Sequence, residues 1–366
     1  MTTEPLILLA AGGTGGHLFP AEALGVELIK RGYRVRLATD ARALRYSGLF
    51  SKDMIDVVPS ETVRSRSPFS LAYTGIKLAA GTIVALQLVR RLKPAAVVGF
   101  GGYPTLPPLM AARLLGIPRL IHDANAVLGR ANRFLSRHVS AIATSLPGVL
   151  DRDPALAGKT VTVGTPMRPA ILSAAAVNFV PPETTEPFRL LVVGGSQGAR
   201  VMSDIVPDAI ERLEPALWRR LVLTQQVREE DMIRVRSVYD RLKINAELAP
   251  FFYDLPARLA SNHLVVSRSG AGTVAELAAI GRPSILVPLP GSIDQDQFAN
   301  AGVLSKANGA LRIAQTDFTP DRLAAEISAL AAEPARLGAM AAAARAVGRL
   351  DAAERLADLV AKVAGI

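Results

Sequence analysis

LILLAAGGTGGH, residues 6–17, is six apolar residues running straight into a glycine cluster, and RLLVVGGSQGAR, residues 189–200, repeats the pattern far downstream. A continuous apolar run suits a strand buried on both faces, and glycines directly after it let the backbone turn sharply into a helix. Outward from these two stretches, short apolar runs alternate with helical spacings: VRLAT, AAVVGF, RLIHD and AIATS in the first half, RLVLTQ, HLVVSRS and SILVPL in the second. Strands separated by helices predict parallel sheets covered on both faces. The expected class is therefore α/β, with two Rossmann-like, doubly wound parallel-sheet lobes. A length of 366 residues fits two domains, each with its own core.

Prolines at 166, 169, 181, 182 and 187 punctuate the ground between the two halves. The predicted division is a first lobe over 1–165, a connection over 166–187, a second lobe over 188–340 and an Ala-rich tail over 341–366. The tail closes on ERLADLVAKVAGI, spaced as an amphipathic helix; its residues alone leave open which lobe it packs on.

Composition narrows the functions available. Half the residues are hydrophobic and a fifth are charged, as in ordered globular chains. The absence of cysteine excludes a disulfide framework, a thiolate metal site and a cysteine nucleophile, and fits a reducing cytoplasm. The opening MTTEPLILLAAGG carries an acid before a short apolar run, unlike a secretory signal. The stretch from Leu78 to Val89 is broken by Gly81 and Gln87 and falls short of the roughly 20 residues a spanning helix needs, so no bilayer crossing is expected. The net charge of +10 is uneven: residues 1–165 hold 20 Lys+Arg against 10 Asp+Glu, and residues 166–366 hold 22 against 22. Such a field attracts nucleic acid, anionic lipid or phosphorylated substrate without choosing among them, and a merely soluble basic face accounts for it equally.

The glycine turn at Gly12, Gly13, Thr14, Gly15 and Gly16 brings the backbone close to a ligand and aims the positive end of the next helix at it. Ser196 and Arg200 add a hydroxyl and a cation at the matching junction in the second half. Both suit diphosphate, although glycine after a strand is structurally useful in many α/β folds. A third loop, Gly99-Phe100-Gly101-Gly102-Tyr103-Pro104, again follows a strand, and ligands gather at strand carboxyl ends in open sheets. His122, Asp123 and Asn125 end another strand. Among four histidines His17 is the better general-base candidate, because it sits at the glycine turn and titrates near neutrality; helix capping is its other reading. The run Ser267-Arg268-Ser269-Gly270-Ala271-Gly272 offers backbone donors to phosphate, and Glu276 beyond it suits ribose hydroxyls or simply solvent. Asp294, Gln295, Asp296, Gln297 and Asn300 supply the dense hydrogen-bonding groups that hold sugars, with no third carboxylate or histidine to complete a metal site. Finally, Arg64, Arg66, Lys77, Arg90 and Arg91 are interleaved with Phe69, Leu71, Ile76, Leu78 and Ile83, a pattern fitting either an anionic membrane interface or a core helix with basic ends.

Taken in order, GGTGGH, GFGGYPT, HDAN, GTPMR, GGSQGAR, SRSGAGTVAE and DQDQFANA resemble the MurG family of glycosyltransferases, which glycosylate lipid I to give lipid II. The likeness spans nearly the whole chain. It implies a GT-B fold, two Rossmann-like lobes with a cleft between them and a C-terminal helix returning to the first. It also implies UDP-N-acetylglucosamine on the second lobe, with Ser196 at the diphosphate, Arg268 and Gly270 around the nucleotide, Glu276 on the ribose and Gln297 on the donor sugar. Thr14, Gly15, Gly16, Asn125 and Arg168 match family positions around the donor and reaction centre. Gly13, Gly101, Gly102 and Tyr103 fall beside the acceptor, lipid I. The implied reaction is an inverting transfer with His17 as candidate base and no required cofactor, a divalent metal being at most auxiliary. The implied setting is peripheral, on the cytoplasmic face of the inner membrane, with an anionic membrane surface and cell-wall synthesis and division proteins as partners and no nucleic acid. The chain departs from the family where HEQN reads HDAN, where GNP reads GTP and where Asp296 precedes Gln297, which puts Asp123 and Asp296 in doubt as contacts.

Three other readings compete. A nicotinamide-dependent oxidoreductase would use Asp40 after the second strand, but the first loop lacks GxGxxG spacing. A UDP-N-acetylglucosamine 2-epimerase shares the expected fold and donor without needing a basic, apolar face. A membrane scaffold explains the charge and none of the polar loops.

Overall fold

The computed structural model describes residues 4–12, 15–41, 48, 50–61, 67–150, 153–195, 198–292 and 295–366. Two compact units divide the chain, Met1–Arg168 with Leu350–Ile366, and Pro169–Arg349.

The first unit holds a parallel sheet of seven strands: β1 (Leu6–Ala10), β2 (Arg34–Thr39), β3 (Ile55–Val57), β4 (Ala96–Gly99), β5 (Arg119–Asp123), β6 (Ala141–Thr144) and β7 (Thr160–Thr162), in the order β3-β2-β1-β4-β5-β6-β7. All of β1 is buried, because the sheet is covered on both faces. Successive side chains on a strand point to opposite faces. Ile7 and Leu9 accordingly join one core with Leu24 and Leu28 of the helix Gly15–Lys30 and Leu356 and Val360 of the helix Ala352–Ala364. Leu6, Leu8 and Ala10 join the other with Ala85, Leu88 and Val89 of the helix Pro68–Leu92. That helix is apolar on its outer side as well: Tyr73, Ile76 and Ile83 are 53, 69 and 61% exposed. Of the apolar residues predicted for this segment Leu78 packs inward, and the side chains of Phe69 and Leu71 lie outside the described residues, as do Arg64 and Arg66.

The second unit repeats the design with six parallel strands: β8 (Phe188–Val193), β9 (Leu221–Gln226), β10 (Ala246–Ala249), β11 (Leu264–Ser267), β12 (Ser284–Leu286) and β13 (Ala310–Arg312), in the order β10-β9-β8-β11-β12-β13. Leu190 and Val192 pack with Met202 and Val206 of the helix Arg200–Glu211 and with Leu323 and Ile327 of the helix Pro320–Ala332.

The division falls elsewhere than predicted at both ends of this unit. The helix Pro169–Ala175 packs on the helices Leu255–Ser261 and Ala271–Ile280, so most of the expected connection belongs to the second unit. Arg282 fastens the following segment: its buried guanidinium donates to the carbonyls of Val177, Leu259 and Ala260 at 3.2, 3.1 and 2.6 Å. The helix Pro334–Val347 likewise belongs to the second unit, and only the chain from Leu350 onward returns to the first.

One half-buried imidazole makes this unit sensitive to acid. His263 Nδ1 accepts the Arg189 amide at 3.1 Å between the rings of Phe179 and Phe188. Burial, aided by neighbouring arginines, pushes its pKa down to about 4. The unfolded chain, with an ordinary value of about 6.5, therefore takes up the proton first. The stabilisation is complete above about pH 6.5 and is lost as pH falls towards 4. At roughly 2 kcal/mol this lowers the second unit's Tm by about 4–8 °C between pH 7.5 and pH 4. His263→Gln should flatten that part of the dependence in calorimetry; an unchanged slope would count against the assignment.

Candidate functional site

In each unit the chain leaves the central strand in one direction and later crosses back to the other side, β1 then β4, and β8 then β11. Those two carboxyl ends form the switch point of each sheet, the usual ligand position in an open α/β sheet.

In the first unit the loop after β1 and the loop after β4 touch: the Gly12 amide donates to the Gly101 carbonyl at 3.1 Å. His17, in the first turn of the helix Gly15–Lys30, lies against both loops. A Cβ at Gly12, Gly101 or Gly102 would come within 3.2, 3.1 or 3.3 Å of its ring. Gly101 and Gly102 also have φ of +93° and +78°, which side-chain-bearing residues rarely adopt. Their glycines thus have a reason inside the protein, namely room for an imidazole flat against backbone. The ring is hydrogen-bonded to the Phe100 backbone, and burial lowers its pKa against the smaller opposing pull of Asp123. His17 is therefore neutral at pH 7 and able to accept a proton. Tyr103 packs against the core of the unit. Gly15 and Gly16 form the helix start, while Gly13 and Thr14 lie outside the described residues.

The polar residues after β5 are organised by Asp123. One carboxylate oxygen accepts from the Asn125 amide at 3.0 Å and from its side chain at 3.3 Å. The other accepts from the Gly129 amide at 2.9 Å and Asn132 Nδ2 at 3.0 Å. Both oxygens are engaged within the loop, so Asp123 positions Asn125. His122 is held more deeply, with Nε2 2.9 Å from the Gly164 carbonyl. Asn132, which sequence reasoning missed, is buried beside Gly101, and among the described residues its Oδ1 has no hydrogen-bond partner. Its position inside a helix gave no signal. Arg168 stacks on Phe19, its guanidinium carbon 3.7 Å from the ring centroid.

In the second unit the loop after β8 is held by Gln226, also missed. Gln226 Oε1 accepts the Gly194 amide at 2.9 Å, and its Nε2 donates to the carbonyls of Gly195 and Pro250 at 3.0 and 3.1 Å. A glutamine closing the apolar strand LVLTQQ was the available signal. Through Pro250 it ties the glycine loop to Phe251 and Tyr253, an edge-to-face pair with centroids 4.9 Å apart and Tyr253 94% exposed. Arg268 turns inward, donating to the carbonyls of Val287 and Pro288 at 3.1 Å each and to Gln315 Oε1 at 2.6 Å. It braces the loop after β12. Gly270 precedes the helix Ala271–Ile280, whose first-turn amides are free of helical partners by construction, and Glu276 is half-buried in its second turn. Ser269 Oγ donates to the Gln297 carbonyl at 2.8 Å, and Gln297 Oε1 accepts the Leu289 amide at 3.0 Å. Asp296 accepts the Gln297 amide at 2.7 Å, so it too has an internal partner. Arg268, Gly270 and Gln297 are thus brought to one end of the sheet; Ser196 and Asp294 lie outside the described residues.

Two doubly wound parallel sheets in one chain, each with glycine-bearing loops at its switch point, are the architecture of a GT-B glycosyltransferase. Residues 7–144 match the glycosyltransferase family 28 N-terminal domain and residues 189–356 the family 28 C-terminal domain, and the chain belongs to this family. It is 83% identical over 366 residues, the whole of both chains, to the UDP-N-acetylglucosamine--N-acetylmuramyl-(pentapeptide) pyrophosphoryl-undecaprenol N-acetylglucosamine transferase of Bradyrhizobium sp. (strain ORS 278). Among solved structures, Acinetobacter baumannii MurG is 28% identical with a TM-score of 0.78, over 98% of this chain and 100% of that one. A putative UDP-N-acetylglucosamine 2-epimerase from Listeria monocytogenes, 14% identical with a TM-score of 0.65 over 98% of this chain and 96% of that one, shares the fold alone.

Proposed function

We propose that this hexosyltransferase moves N-acetylglucosamine from UDP-N-acetylglucosamine to the muramyl 4-hydroxyl of lipid I, an undecaprenyl-diphosphate-linked muramyl peptide, giving lipid II. The observation that carries the reading is the 83% identity with a transferase of that name over the full length of both chains. In the second unit the donor diphosphate is assigned to the loop 194–198 with Ser196 and to the helix start at Gly270, the ribose to Glu276 and the sugar to Gln297. Phe251 and Tyr253, tied to the glycine loop through Gln226, offer the base an aromatic face.

The transfer is a single displacement. The muramyl O4 forms a bond to the anomeric carbon, the bond from that carbon to the β-phosphate oxygen breaks, and His17 takes the hydroxyl proton. Departing UDP is stabilised by helix N-termini and Arg168, which supply fixed positive potential without a resident metal. Transfer of labelled N-acetylglucosamine to a short-chain lipid I analogue tests the reading, with a β-1,4-linked product expected. Free UDP-N-acetylmannosamine instead would transfer the assignment to the epimerase.

The acceptor's tail places the enzyme on a membrane surface, the cytoplasmic face of the inner membrane. No helix among the described residues is long and apolar enough to cross a membrane. The outer side of the helix Pro68–Leu92 supplies the contact, with Ile76 and Ile83 entering the interface beside Lys77. The double variant Ile76→Glu/Ile83→Glu is expected to weaken binding to anionic vesicles by about 10-fold or more. Unchanged co-sedimentation with such vesicles would move the contact elsewhere.

A further inference from the structure

We infer that Asp231 is a positioning residue for the donor: its buried carboxylate pins Arg228 against Gly198 and Arg234 against the helix Arg200–Glu211, and so fixes the far end of the glycine loop after β8. The inference rests on the reading of that loop as the seat of the donor diphosphate.

The near end of the loop is held by Gln226, through Gly194 and Gly195. The far end meets the chain just beyond β9. Gly198 has φ of +71°, and a Cβ on it would lie 2.8 Å from Arg228 Cγ, so the arginine stem lies directly against the glycine. A long side chain makes a poor wall unless its head is fixed, because its rotamer freedom is large. The head of Arg228 is fixed: Nε and Nη2 both meet Asp231 Oδ2, at 2.7 and 2.6 Å.

The other carboxylate oxygen serves a second arm. Asp231 Oδ1 accepts from Arg234 Nη2 at 3.0 Å, and the same nitrogen donates to Asp204 Oδ1 at 2.7 Å. Arg234 Nη1 donates to the Ser203 carbonyl at 3.0 Å. Ser203 and Asp204 lie near the start of the helix Arg200–Glu211, which begins two residues after Gly198. Asp231 is 7% exposed and common to both arms. Burial opposes its charge, but the two arginines outweigh burial and hold its carboxyl below the ordinary carboxylate range. It therefore stays ionised, and charge-assisted bonds away from water are strong and directional. Glu230 also meets Arg228, at 2.8 Å, but its side chain is 65% exposed and such a pair contributes little.

The test measures UDP binding by calorimetry and the KM of donor and acceptor in the transfer assay, with thermal melts as controls. The variants are Asp231→Asn, Arg228→Ala, Gly198→Ala, Glu230→Gln and the doubles Gly198→Ala/Asp231→Asn and Gly198→Ala/Arg228→Ala. Asp231→Asn is expected to weaken UDP binding and raise the donor KM by about 2- to 30-fold, the span that side-chain networks transmit, with the KM for the lipid I analogue unchanged. Glu230→Gln should bind UDP within about twofold of wild type. Gly198→Ala weakens binding because its methyl strikes a pinned stem. Once Asp231 releases that stem it swings aside, so the double variant should lose less than the product of the two single effects. Arg228→Ala removes the stem and leaves Asp231 paired with Arg234; it should show the same shortfall, and it decides the question if Asp231→Asn does not fold. Wild-type UDP binding in Asp231→Asn, or losses that simply multiply in the doubles, would overturn the inference, and weak binding in Gly194→Ala would then spare the reading of the loop. Wild-type binding in Gly194→Ala would remove that reading and the inference with it.

Discussion

Alanine at position 17 is expected to lower kcat by about 10²- to 10⁴-fold, the usual contribution of a positioned general base, while calorimetry shows donor binding little changed. The imidazole lies on Gly12, Gly101 and Gly102 and hydrogen-bonds the Phe100 backbone, so its removal deletes a proton acceptor from an otherwise intact site. His17→Gln is the companion variant, since an amide retains polar contact with the backbone but cannot take a proton. The pH profile adds a second reading. Burial holds the His17 pKa below its ordinary value of 6.5, so the neutral, active form persists at neutral pH and is lost only under acid. The wild-type kcat/KM should be flat near pH 7 and fall on acidification below about 6.5, and the variants should lack that limb. A variant with the wild-type rate and acid limb would end the assignment of His17.

Gly194→Ala is the second large effect, and it acts through geometry. A Cβ there would fall 2.2 Å from the Ala199 amide nitrogen and 2.5 Å from the Gly198 carbonyl carbon. Both are backbone atoms, so Gly194 must move away from Gly198 and Ala199, and Gln226 must release the Gly194 amide that it accepts. Overpacking of this kind costs about 1–3 kcal/mol in stability. A displacement near 1 Å in a positioned site costs on the order of 100-fold in rate. The expected outcome is a folded but less stable enzyme whose transfer rate falls by about that much and which binds UDP-N-acetylglucosamine more weakly. Wild-type affinity in the variant would mean that the loop after β8 does not hold the donor.

The loops named by these two predictions were legible because their strands are. LILLAA and RLLVV are apolar without interruption, which only a sheet buried on both faces permits, and glycines directly after them mark the turns. Strand order was not legible from periodicity, since a burial pattern carries no information on which strand is the neighbour. The direction of Arg268 was hidden for a related reason. Its partners are main-chain carbonyls at Val287 and Pro288, which every residue possesses and no sequence advertises. Asn132 and Gln226 were overlooked because each works on backbone or loop atoms brought close only by folding. The boundary at the C-terminal end of the second unit slipped where two Ala-rich helices follow one another. What separates them is Gly348, where a Cβ would strike the Ala278 carbonyl oxygen at 2.6 Å. That close approach fixes the end of the first helix on the second unit and is invisible to helical spacing.

The return of residues 350–366 to the first unit sets an order for assembly during synthesis. Leu356, Ala357 and Val360 cover the face of the sheet formed by Ile7, Leu9 and Val98, and Arg31 grips Asp358 at 2.6 Å. None of that cover exists when β7 leaves the ribosome. The whole second unit must be made first, which at bacterial elongation rates takes roughly 10–40 s. Through that interval the nascent first sheet carries a bare apolar stripe, a natural place for a holdase chaperone to bind. The same stripe reappears in any chain truncated before Leu350, so premature termination here yields an aggregation-prone product that quality-control proteases must clear.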